Sequence, residues 1–123
     1  MTRSEQITLP VVEFQKEQEH VITSGCVIKY VESGDGFESL VVASIFDGDD
    51  PIKEVQRVES IALKQKGFIS KKERDTVEFC TFRPSHHIAT ALLGHKKDDT
   101  VSIQVGNSIF NCIILDFLIP EVS

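Results

Sequence analysis

The chain contains no tryptophan, a single tyrosine (Tyr30) and only three cysteines among its 123 residues. An aromatic-floored pocket therefore has little to draw on except the eight phenylalanines, which a core of this size consumes. Cys26, Cys80 and Cys112 are far apart, odd in number and form no CxxC pair, which argues against a disulfide scaffold or a zinc cage. Reduced core thiols in a cytoplasmic protein are the expectation. Long apolar runs are missing too. The longest uncharged stretch, Thr100 to Leu115, is 16 residues and contains Ser102, Gln104, Asn107 and Asn111. A membrane helix needs ~20 mostly apolar residues, and Met1 to Lys16 has no signal-type segment. No GxSxG turn or glycine-rich phosphate loop occurs. No catalytic residue, metal or cofactor is expected.

What the sequence does contain suits one soluble domain, with 41% apolar and 26% charged residues. Its formal charge is −6, which argues against a surface built wholly for nucleic acid and makes any direct contact of that kind secondary. The charge is unevenly spread. From Lys53 to Arg74 there are seven bases and three acids, a net +4, so the remainder carries −10. Such asymmetry can give one face to a partner, and Arg57, Lys64, Lys71 and Lys72 are the candidates on it. A solvated helix and turn is the alternative.

Along the chain, residues 1–20 read as an arm or edge strand, 21–119 as the domain and 120–123 as a tail. Cys26, Ile28 and Tyr30 alternate, and Ser33-Gly34-Asp35-Gly36 supplies a tight turn into the apolar strand Phe37 to Phe46. Asp50-Pro51 is a helix start, because the carboxylate can cap free N–H groups and proline loses nothing at the first position. Ile52, Val55, Val58, Ile61 and Ala62 follow at helical spacing, and Gly67 is a stop; the charged residues between them should face solvent over a helix at 51–66. A short strand at Phe68–Ser70, a charged turn at 71–75 and a strand at 76–82 come next. Pro84-Ser85 opens a second helix with Ile88, Ala91 and Leu92 inward and Gly94 at its end. Thr100–Val105 and Ile109–Ile119 complete the domain as a hairpin, the latter a central strand. The class is α+β with antiparallel strands.

Residues 85–118, SHHIATALLGHKKDDTVSIQV followed by a hairpin and IILDFL, resemble the C-terminal domain of the bacterial GreA/GreB transcript-cleavage and elongation factors and of the related Rnk-type regulators. The matching residues are Ala91, Leu92, Leu93, Gly94, Lys96, Lys97, Asp98, Val101, Ile103 and Val105. The opening hairpin is similar to the family's first pair of strands, so the resemblance runs over about 21–119. It implies an FKBP-like fold, a twisted antiparallel sheet against a short helix, with the helix at 51–66 as an insertion. It also implies RNA polymerase as partner, at the secondary-channel rim. Gre factors place a long N-terminal coiled coil in that channel. About 20 residues with Pro10 in their middle cannot form one at ~1.5 Å per residue, so transcript cleavage is not expected of this chain. Where the family often reads Asp-Ser-Pro in its docking loop, this chain has Pro84, Ser85, His86 and His87.

His86, His87 and His95 invite a metal, but adjacent histidines diverge and a contact in the docking loop suits them better. The aspartates Asp47, Asp49 and Asp50 lack the distal Glu of a calcium loop and read as turn and cap chemistry. The expected function is a polymerase-binding domain that modulates elongation. A peptidyl-prolyl isomerase of FKBP-like fold, or a general interaction module using the helix at 51–66, are the alternatives. Oligomeric state is open.

Overall fold

A computed structural model describes residues 20–119. The expected arm over 1–19 and tail over 120–123 lie outside the described residues. The observed elements are β1 (Val27–Gly34), β2 (Phe37–Ile45), α1 (Pro51–Lys64), α2 (Lys71–Arg74), β3 (Glu78–Phe82), α3 (His87–Leu92), β4 (Thr100–Val105) and β5 (Ser108–Leu118). The class is α+β.

The strands form one five-stranded sheet in the order β3-β2-β1-β5-β4. Both expected hairpins close over two residues, Gly34 pairing Phe37 and Val105 pairing Ser108. Gly36 sits at φ +73° and Gly106 at +62°, conformations costly for a residue with a Cβ. The sheet is mixed rather than antiparallel, because β3 runs parallel to β2, with Val42 opposite Phe79 and Ser44 opposite Thr81. Parallel neighbours need a long connection, and α1 and α2 are that connection. Helix α1, which ends at Lys64 rather than at 66, is therefore structural and not a decoration added to a finished sheet.

Side chains alternate across β1 and β2 to two covered faces. Ile28, Tyr30, Val41, Ala43 and Ile45 join Ile22, Ile88, Ala89 and Leu92 in one cluster, under α3. Val27 and Val42 join Val58, Ala62 and Phe68 in a second, under α1. Coverage on both sides explains why Val41 to Ile45 is buried without a break. Strand β5 lies between β1 and β4 and carries a bulge: Lys29 faces Asp116 and Tyr30 faces Ile114, which leaves Leu115 as the extra residue. The bulge resets the parity, so Cys112, Ile114 and Phe117 all reach the α3 face.

Helix α1 begins as expected. The Asp50 carboxylate accepts from Lys53 N at 3.1 Å, and Pro51 occupies the first turn. Two expectations on it fail. Ile52 is 74% exposed, while Glu54 is buried beside Val58 and Ala62. Ile52 lies six residues from Val58, about 240° around the helix, so it cannot share that stripe. The expected strand at Phe68–Ser70 is a turn, and Phe68 plugs the α1 cluster from it. Among the described residues no helix is long and apolar enough to cross a membrane.

Leu92 is fully buried where α3 meets the sheet. Leu92→Ala should lower stability by about 2–5 kcal/mol, read as a reduced urea midpoint with unchanged slope.

Candidate functional site

The sequence candidates fall on opposite faces of the sheet. Pro84, Ser85, His86 and His87 stand at the head of α3. Arg57 and Lys64 belong to α1 on the other face, with Lys71 and Lys72 on α2 of the same crossover.

The loop before α3 is held by its own bonds. His86 N donates to Arg83 O at 2.9 Å, and Thr90 Oγ1 donates to Pro84 O at 3.2 Å. His86 is the N-cap: its Nδ1 accepts from Ile88 N at 3.1 Å, and that bond leaves the ring proton on Nε2. The ring also stacks on Phe82, with centroids 4.7 Å apart, and lies 5.2 Å from the His87 ring. Ser85 and His87 are exposed on this framework, with Pro84 half-buried. Behind them Leu92 is buried, Ala91 and Leu93 are half-buried, and Gly94 ends the helix at φ +84°. The imidazole of His95 is apart from this pair, at 3.1 Å from Asp99 Oδ2. Among the described residues no group of three or more His, Cys, Asp or Glu could hold a metal. Asp50 is committed to its cap, and Asp47 lies 3.4 Å from Arg83.

On the α1 face the chemistry centres on a residue that periodicity assigns to solvent. Glu54 Oε2 accepts from Ser44 Oγ at 2.6 Å, and the two carboxylate oxygens accept from Arg57 Nε and Nη2 at 2.8 and 2.7 Å. Thr81 Oγ1 donates to Ser44 O at 3.1 Å, which ties β3 into the same network. The Arg57 bonds, helped by Ser44, hold the Glu54 carboxyl below the usual carboxylate range despite its burial. Arg57 is thus tethered rather than free. A second tie anchors α2. Lys29 Nζ, on β1, donates to Phe68 O at 2.7 Å and to Glu73 Oε1 at 2.9 Å. Ser70 and Glu73 complete a reciprocal capping box, and the Ser70 N–H and Lys29 lower the Glu73 carboxyl. Lys64, Lys71 and Lys72 are exposed.

Beside α1 a groove of about 520 Å³ opens, lined by Val27, Arg57, Ile61, Lys64, Leu118 and Ile119 among others. Sequence reasoning missed Glu54, Ser44 and the far wall of this groove. One signal was there, a hydroxyl at Ser44 inside the otherwise apolar run Leu40 to Phe46, which must find a partner when buried. Cys80 and Cys112 are pushed up to about 12 by burial, in keeping with core thiols. No protein-family model, curated protein or solved structure matches the chain.

Two outcomes follow. Glu54→Ala should cost about 1–3 kcal/mol, because Ser44 and Arg57 lose their shared partner. Since folding lowers its pKa, Glu54 stabilises the fold above its unfolded value near 4.5, and that contribution disappears as pH falls through the lower folded value. The urea midpoints of wild type and Glu54→Gln should therefore converge on acidification. Cys80 and Cys112 should resist a thiol reagent at neutral pH until denaturant is added, as read by absorbance of the released thiolate.

Proposed function

We propose that this chain is an RNA-polymerase-binding, elongation-factor-like domain of the Gre/Rnk class, FKBP-like in fold and cytoplasmic. It modulates transcription from the secondary-channel rim and carries no transcript-cleavage chemistry of its own. The observation that carries the reading is the layout of residues 78–118. Strand β3 leads through a short loop into α3, which ends in Ala91-Leu92-Leu93-Gly94, and a charged turn then feeds the β4–β5 hairpin. That order and the resemblance read at 85–118 coincide. The antiparallel set β2-β1-β5-β4 against α3 supports an FKBP-like description, from which the parallel β3 and its crossover depart.

The loop is suited to docking because its shape is fixed before any partner arrives. Ser85 and His87 project from a backbone held through Arg83, His86 and Thr90, so little freedom is lost on binding. A partner meeting this loop is read by a hydroxyl, an imidazole and a proline ring rather than by a strong charge.

The test is capture of core RNA polymerase by the full chain, and competition with a full-length Gre factor. Binding is expected at micromolar concentration in low salt. Ser85→Glu with His87→Glu should weaken it about tenfold while leaving the urea midpoint unchanged, since both side chains are exposed. No capture in low salt, or capture indifferent to both substitutions, sinks the reading.

A further inference from the structure

The chain is acidic overall, yet within the crossover the stretch from Lys53 to Arg74 is net positive, and most of its bases have no carboxylate partner among the described residues. Of the seven bases from Lys53 to Arg74, Arg57 alone has a carboxylate within 4.0 Å among the described residues. Lys53, Lys64, Lys66, Lys71, Lys72 and Arg74 form no ion pair there, although the chain has 19 acids against 13 bases. The groove beside α1 opens on this charge. Its floor is aliphatic, made by Val27, Ile61, Leu118 and Ile119, the last 45% exposed. Its rim carries two cations of different kinds. Lys64 is exposed in the last turn of α1. Arg57 spends two of its five N–H donors on Glu54, which fixes the guanidinium while the side chain stays 43% exposed. Three donors remain, oriented and ready for a second carboxylate.

We propose that this groove binds an acidic amphipathic segment of a partner protein, with carboxylates on Arg57 and Lys64 and an apolar side chain on Ile61, Leu118 and Ile119. The volume suits a few side chains, and charge complementarity sets the sign of the partner. A nucleic-acid strand fits the same cations less well. Among the described residues no aromatic ring lines the groove to stack a base, and an aliphatic floor offers a phosphate backbone nothing. The surface lies on the opposite face of the sheet from Ser85 and His87, so it is a separate contact that stands or falls independently of polymerase docking.

The probe is a fluorescein-labelled synthetic peptide with glutamates along one side of a helix and leucines along the other, titrated into the full chain by anisotropy. Saturable binding that weakens with added salt is expected. Lys64→Glu should weaken it about tenfold and Ile119→Ser severalfold, while Lys64→Arg and the opposite-face Ser85→Glu leave it unchanged. Both groove positions are exposed, so their substitution spares the fold. Three results overturn the proposal: no peptide binding in low salt, affinity indifferent to Lys64→Glu and Ile119→Ser, or equal binding by a single-stranded oligonucleotide of matched charge. Polymerase capture by the same variants reads the other surface separately.

Discussion

Glu54 is an acid buried between a helix and a sheet, and the placement of α1 depends on how it is satisfied. Burying a carboxylate is costly unless hydrogen bonds and an opposite charge replace the lost water. Here Ser44 donates from the sheet and Arg57 donates twice from the next turn of the same helix. The bond from Ser44 is made at only one position of α1 over β2, because a slide or roll of the helix would part the hydroxyl from the carboxylate, while Arg57 would travel with Glu54. Hydrophobic packing of Val58 and Ala62 on Val42 supplies most of the attraction but tolerates small shifts. The polar tie removes that tolerance. Lys29 and Glu73 do the same for α2, so the crossover is pinned to the sheet by one buried hydroxyl–carboxylate bond and one half-buried ion pair.

The other face is built differently. Under α3 the sheet presents Ile28, Tyr30, Ala43, Ile45, Cys112 and Ile114, and among the described residues no ion pair joins α3 to the sheet. The Tyr30 hydroxyl is buried with no hydrogen-bond partner among the described residues, and burial pushes its titration well above the usual phenol range. Position there is set by close packing and by short bonds at the ends of α3, including Gly94 N to Ile22 O at 2.9 Å. Two faces held by two kinds of force present two surfaces of different character: a nearly neutral, pre-shaped loop on one side and a basic, aliphatic groove on the other.

Much of this was legible because it is local. Asp50-Pro51, Gly94 and the two hairpin turns act through neighbouring backbone groups, and each lies where its residue type requires. Leu92 was readable because a short helix has only one apolar side to offer. The parallel pairing of β2 with β3 was not readable, since nothing within either strand records which neighbour it takes. Glu54 was missed for a related reason: periodicity ranks residues by apolarity, so it admits Ile52 and rejects a carboxylate whose partners lie in another element. Phe68 was misplaced because a single buried aromatic in a turn looks like the start of a strand. The loop at Pro84–His87 could be placed before a helix from sequence, but its separation from the basic residues by the thickness of the sheet could not.

The parallel β2–β3 pair also sets an order of assembly. The β1–β2 hairpin closes across two residues, whereas Ser44 meets Thr81 across a separation of 37. Closing the longer loop costs more chain entropy and gains little until α1 has formed and turned its buried stripe inward. Strand β3 therefore docks after the β1–β2 hairpin, on an edge of β2 that lies bare until then, while β5, whose Leu118 lies opposite Val27, closes a longer loop still.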